Sequence, residues 1–227
     1  MHPLDNIIWT ALTTRQTQFA QSFGKARRFT REVGPLAGAE TLGDEGYASL
    51  AGLVGDGTTV GLFLNDPYEP RSGWEFVAGA PLLQMVAEND ARLSSNGHVK
   101  IEQLGDKDSA EMLELTSLTK PGPFGTRTHE LGYYVGIRDG GKLVAMAGER
   151  LKVPGYTEVS AVCTHPGHLG KGYAGVLLCE VMRAIRSRGE TPFLHVRAAN
   201  TRAVTLYERL GFRIRWRGHF AALRSIR

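Results

Sequence analysis

The sequence predicts an α+β protein: a mixed, mainly antiparallel twisted sheet flanked by helices, with an extra N-terminal α/β region. Three observations carry this. Asp139-Gly140-Gly141 joins two apolar-rich runs and is a strong hairpin signal. Ala174, Leu177, Leu178, Val181, Met182 and Ile185 fall at offsets 0, 3, 4, 7, 8 and 11, a continuous apolar stripe of helical period. Arg213-Ile214-Arg215-Trp216-Arg217 alternates basic with apolar residues, the period of a strand.

The chain has 227 residues, 42% apolar and 22% charged, as expected of a globular protein of one large or two small domains. No apolar run reaches the length of a membrane span, and the first residues lack the basic-then-apolar pattern of a secretion signal. Cys163 and Cys179 are the only cysteines, so neither a disulfide framework nor a cysteine metal site is expected. The cytoplasm is the expected location and no membrane partner is expected. Residues 151–227 hold 13 Lys and Arg against 4 Asp and Glu, whereas the net charge of the whole chain is only +4. A basic half suits an anionic partner, nucleic acid or a phosphorylated small molecule, and equally suits a solvated surface.

In chain order, Ile8, Leu12, Phe19 and Phe23 lie roughly on one helical face, which predicts a helix from after Asp5 to about Phe23, capped by Asp5 or Asn6. Residues 34–57 carry seven glycines and predict only a short helix near 47–53. Residues 58–64 read as a strand, 65–73 as a proline-bearing loop and 74–78 as the return strand, after which Pro81 opens a helix through Ala87. No cluster in this region has the types and spacing of a catalytic site. Ser94-Ser95-Asn96-Gly97 reads as a linker, giving residues 1–95 as one region and 98–227 as a second. The first region carries no readable role, and the strand, loop, strand and helix at 58–88 offer a degenerate half-copy of the second as one reading of it.

Past the linker, 99–103 predicts a strand, 108–118 a helix and 120–125 a loop. Residues 132–138, 142–151 and 157–164 form a three-stranded meander. The striped helix ends at Gly189, with Arg183, Arg186 and Arg188 near its C-terminus. Residues 193–196 form a short buried strand and 200–210 a second helix. Two closing strands, 213–217 and 220–223, pair through Gly218-His219.

Between the meander and the striped helix stands Leu169-Gly170-Lys171-Gly172-Tyr173-Ala174. Glycines at such a junction let backbone N–H groups converge where the positive end of the helix dipole sits, an arrangement that binds phosphate. A P-loop requires Ser or Thr after Gly-Lys, and here Gly172 follows. A dinucleotide fingerprint requires another glycine order and a parallel sheet, and neither is present.

The segment resembles the signature of the GCN5-related N-acetyltransferase superfamily, Arg/Gln-x-x-Gly-x-Gly/Ala. It matches at Gly172 and Ala174, with Leu169 in place of Arg/Gln. Downstream, Asn200, Ala203, Leu206, Tyr207, Gly211 and Phe212 are similar to the family's N-x-x-A-x-x-L-Y-x-x-x-G-F element. The resemblance covers residues 98–227, is closest to the FR47-like type in its last third, and implies the acyl-CoA N-acyltransferase fold with acetyl-CoA as co-substrate and no metal. It implies that amides of Leu169, Gly170, Lys171, Gly172, Tyr173, Ala174 and Gly175 wrap the pyrophosphate. A Cβ at Gly172 would obstruct that approach, and Leu169 removes a side chain but not the amides. Val162, Cys163 and Thr164 are implied to lie along the pantetheine arm, with an amide of Val162 or Cys163 facing the oxyanion and Cys163 acting as a packing residue.

Asn200 is implied to bond the arm; its residue type alone suits a helix cap. Tyr207 is implied to protonate the departing thiolate; its place on an apolar face alone suits core packing. An ordinary phenol, with a pKa near ~10, holds its proton at neutral pH. Glu149 and Glu158, on adjacent strands, are the candidates for the general base, and each equally suits a surface carboxylate. His129, His165 and His195 are set aside, with His165 shaping the turn before Pro166. The implied reaction is direct transfer of an acetyl group to a primary amine, on a small molecule, an amino acid or a protein N-terminus. The alternative is a non-catalytic acyl-CoA-binding or sensing domain. Nucleic acid is not the expected partner, because the arginines lack an interleaved aromatic platform.

Overall fold

The computed structural model describes residues 2–87 and 99–226. The linker at 94–97 lies outside the described residues. The elements are α1 (Ile7–Thr13), β1 (Ala20–Phe23), β2 (Ala26–Phe29), β3 (Ala37–Ala39), α2 (Asp44–Val54), β4 (Thr59–Leu64), β5 (Trp74–Val86) and β6 (Glu102–Leu104). They continue with α3 (Ser109–Thr119), β7 (Tyr134–Asp139), β8 (Lys142–Val153), β9 (Tyr156–Thr164), α4 (Tyr173–Arg186), β10 (Thr191–Arg197), α5 (Thr201–Arg209) and β11 (Arg213–Ser225).

Eight strands form one sheet in the order β4-β11-β5-β10-β9-β8-β7-β6, and β1, β2 and β3 form a small second sheet. All pairings in the large sheet are antiparallel except β9 with β10. The α+β class therefore holds, and the N-terminal strands β4 and β5 enter the same sheet as the strands after residue 99. On one face, α4 lays Leu177, Leu178, Val181, Met182 and Ile185 into the core with none of their surface exposed. Leu194, Val196, Leu210 and Phe212 complete that layer. On the other face, α1 packs Ile7, Ile8, Ala11 and Leu12 against Leu151, Val153 and Phe193.

Three sequence expectations give way. The first helix stops at Thr13, where the hydroxyls of Thr13 and Thr14 turn back onto the carbonyls of Trp9 and Thr10. Phe23 then lies on β1, 55% exposed. Pro81 opens no helix: it sits within β5. Its carbonyl accepts from Ala198 N just beyond the last β5–β10 pair, Leu82 with Arg197, so its missing N–H falls where β10 has already ended. The two closing strands are one, since β11 continues along β5 through register shifts after Ile214 and after Ala222, with Gly218 opposite Leu82. Gly218 is required by close approach, not by a turn, because a Cβ there would run into the Trp216 ring and the Leu64 carbonyl.

Candidate active site

The candidate site forms where β9 and β10 part. Their parallel pairing covers only Thr191, Pro192 and Phe193 against Tyr156, Thr157 and Glu158. Beyond that point β10 keeps its pairing with β5 as far as Arg197, while β9 continues along β8. Within this free stretch β9 carries a bulge: Met146 pairs with Cys163 and Gly148 with Ser160, which sets Ala161 and Val162 against Ala147 alone. Ala161 takes φ 53°, a left-handed conformation that a non-glycine residue holds at a cost of about 1–3 kcal/mol. The bulge re-aims the strand beside an open edge.

A cleft of ≈ 700 Å³ opens there, lined by Val162, Cys163 and Thr164 from β9, by the turn and first residues of α4, and by α5. Every residue implied by the resemblance to hold the cofactor lines it except Lys171, whose ammonium points away, 3.7 Å from Asp139 and over the Tyr173 ring. Gly170 and Gly172 have φ of 80° and 78°, and a Cβ on either meets open space. The glycines are thus required by the left-handed backbone, and not by crowding from the protein. Gly172 caps α4 without a side-chain bond, and no acidic residue occupies the first turn, so the amides and dipole of a 14-residue helix face the cleft unneutralised. His165 shapes the approach, its Nδ1 accepting from Gly167 N at 3.1 Å. Leu169 stands 54% exposed at the rim.

From α5, Asn200 does two things: its Oδ1 accepts from Ala203 N at 3.2 Å, which caps the helix, and the residue also faces the cleft. Tyr207 is 9% exposed with its ring edge-on to Phe212 at 5.9 Å, and its hydroxyl has no hydrogen-bond partner among the described residues. Burial pushes that phenol up to about 12, so it keeps its proton. Burial likewise pushes the Cys163 thiol up to about 11, which makes it a poor nucleophile. Sequence reasoning missed Arg202 and Arg209, which line the cleft without a carboxylate partner among the described residues. Their spacing of seven, two helical turns, was the available signal.

Neither Glu149 nor Glu158 lines the cleft. Glu149 is fully buried and bonded to Arg188 at 2.5 Å, Lys152 at 2.8 Å and Tyr133 N at 3.2 Å. Glu158 is also fully buried, with both oxygens bonded to Arg150 at 2.8 Å and Oε1 2.7 Å from His195 Nδ1. Burial alone would raise the Glu158 pKa, but the Arg150 guanidinium, its hydrogen bonds and the bond from His195 outweigh that and hold the carboxyl at about 2. Both glutamates are committed to ion pairs. Glu158 instead orients a histidine that sequence reasoning had set aside.

Comparison with known proteins agrees with this geometry. The FR47-like protein family matches residues 134–221, a segment that spans the cleft. An N-alpha-acetyltransferase RimI from Mycobacterium tuberculosis is 39% identical over 83 residues, 35% of this chain, and the chain spans 51% of that relative's length. A tandem GNAT protein from the clavulanic acid biosynthesis pathway shares the fold at a TM-score of 0.60, with 15% identity over 88% of this chain and 78% of its own. A crystal structure of a GNAT-family protein from Novosphingobium aromaticivorans superposes at a TM-score of 0.92, with 37% identity over 100% of both chains. Identity at that level along the whole length, with the cleft built where the signature falls, makes this chain a member of the GCN5-related N-acetyltransferase (GNAT) family of acyltransferases.

Proposed function

We propose that the chain transfers an acetyl group from acetyl-CoA to a primary amine by direct attack, with Tyr207 as the general acid. The observation that carries this reading is the unpartnered, protonated hydroxyl of Tyr207 in a cleft whose other end is an uncapped helix N-terminus. In this reading the pyrophosphate lies against the amides from Leu169 to Gly175, aided by Arg202 and Arg209. The pantetheine arm adds along the free edge of β9 at Val162, Cys163 and Thr164 and reaches Asn200. An amide at the bulge faces the oxyanion that forms when the amine attacks, and Tyr207 gives its proton to the departing thiolate.

The acceptor is a primary amine, on a small molecule, an amino acid or a peptide N-terminus; the RimI relative, named for N-alpha-acetylation, supports including the last. Residues 98–227 carry the acetyl-CoA half of the site in this reading, and the reaction belongs to the cytoplasm. No helix among the described residues is long and apolar enough to cross a membrane, and no group of three metal-binding side chains occurs among them.

The test is thiol release from acetyl-CoA over a panel of amines, with wild type and Tyr207→Phe. Coenzyme A binding stays unchanged and turnover falls roughly 100-fold or more in the variant. Equal turnover in the two proteins removes Tyr207 from the mechanism. Binding of acetyl-CoA with no thiol release from any amine leaves an acyl-CoA-binding domain.

A further inference from the structure

On the sheet face opposite α4 and α5 lies a second cavity, of ≈ 240 Å³. Its walls come mostly from the N-terminal region: Leu4 to Ile8 at the start of α1, the segment around Gly38 and Leu42, Phe63 of β4, and Gln84 of β5. One wall is His195. Its neighbours on β10, Leu194 and Val196, pack with α4 and α5, whereas Phe193 packs with α1. Strand alternation therefore turns the imidazole onto the α1 face.

His195 is held as a base. The ring is 2% exposed and lies 4.5 Å, centroid to centroid, from Phe63. Glu158, ionised by Arg150, accepts from Nδ1 at 2.7 Å, so Nδ1 carries the proton and Nε2 is an acceptor. The bond at Nε2 agrees: Gln84 gives its Oε1 to Arg215 at 3.0 Å, which leaves its amide nitrogen to donate to Leu4 O and to His195 Nε2, each at 3.2 Å. A carboxylate, an imidazole and an accepting Nε2 lone pair in sequence, here met by the Gln84 amide, form the arrangement that moves protons in hydrolytic triads. Position matters equally. His195 is two residues past the last β9–β10 pair, at the mouth of the gap, across from the stretch of β9 that carries Val162. The cleft and the cavity share no lining residue and lie on opposite faces of the sheet, on either side of the stretch where β9 and β10 part.

We propose that this cavity receives the acceptor, a primary amine next to a compact apolar group, and that His195, oriented by Glu158, takes its proton. The proposal rests on the acetyl-transfer reading above. Leu4, Ile8, Leu42, Phe63 and Trp216 supply the apolar wall, and Asn65 and Gln84 supply polar atoms. The ammonium replaces the Gln84 bond at Nε2 and gives up one proton to it. The freed nitrogen pair forms the C–N bond, the C–S bond breaks, and the thiolate takes the Tyr207 proton. The second nitrogen proton restores the tyrosine, and the imidazolium releases its proton to water. Burial lowers the His195 pKa from 6.5 and the Glu158 carboxylate works against that, with Arg150 also disfavouring the cation. Asp5 faces the same cavity paired to Arg215. The residues before the linker thus build the acceptor side of the site.

The experiment measures thiol release at saturating acetyl-CoA from pH 5 to 9, with free small amines in one arm and short peptides bearing free N-termini in the other. His195→Asn keeps a donor for Glu158 and removes the base; Leu42→Trp fills the cavity. In His195→Asn, kcat/KM for the amine falls roughly 100-fold, and the flat stretch of log kcat/KM between pH 6.5 and the pKa of the amine is replaced by a slope of one, because without the base only the free amine reacts. In Leu42→Trp, KM for the amine rises while KM for acetyl-CoA does not. The arm that responds identifies the source of the amine. Unchanged rate and slope in His195→Asn, or an unchanged amine KM in Leu42→Trp, overturns the proposal. Failure of the wild type to bind acetyl-CoA would overturn the underlying reading instead, so the two failures are distinct.

Discussion

Glu158→Gln tests the buried charge network directly. The wild-type carboxyl titrates at about 2 in the folded protein against 4.5 when unfolded. A depressed acid contributes stability fully above its unfolded pKa and loses it as pH falls through the folded value, so the window runs from pH 5 down to pH 2. The whole difference is worth about 3 kcal/mol at neutral pH, of which less than half survives at pH 3. His195 works in the same direction: its lowered pKa makes it stabilising above pH 6.5 and a liability as acid charges it. Removing the carboxylate strands the Arg150 guanidinium in the interior, a cost of about 3–5 kcal/mol at pH 7. Urea unfolding of both proteins at pH 7, 5 and 3 should show the stability gap narrowing by about 2 kcal/mol between pH 7 and pH 3. A gap that is the same at all three pH values would refute the claim that Glu158 is an ionised partner of Arg150.

Two further substitutions probe the cleft. Gly172→Ala forces a Cβ onto φ 78° with no steric neighbour, so the loss of about 1 kcal/mol is backbone strain and is read in thermal unfolding, accompanied by weaker coenzyme A binding. Leu169→Arg restores the family residue at an exposed rim position and should tighten coenzyme A binding about 2–5-fold, by calorimetry, with the gain vanishing at high salt.

The elements legible in the sequence were those whose signal is local. The α4 stripe, the Gly140-Gly141 hairpin and the Asn200 cap each depend on residues within one or two turns, and each stands where the pattern puts it. The misreadings at Pro81 and Gly218 share a cause, which is that long-range pairing decided the matter. Pro81 suits a helix start in its own neighbourhood, and only the end of β10 beside it makes a strand position tolerable. Gly218 suits a turn until Trp216 folds over it to donate from Nε1 to Asn65, a residue 151 positions away.

The same distinction explains why the cleft could be read and the second cavity could not. Cleft residues fall in two contiguous motifs that a local pattern exposes. The cavity takes its walls from six separated parts of the chain, and its central pair joins residues 37 positions apart on strands that meet only in the fold. Glu158 drew attention as a carboxylate on a strand, but a fully buried carboxylate held by Arg150 has its proton affinity spent: at about 2 it cannot serve as a base near neutral pH. What such a group can do is fix a tautomer. The sequence thus offered the acid that orients, and only the register of β10 against β9, with Phe193 opposite Glu158, brings forward the imidazole that can accept a proton.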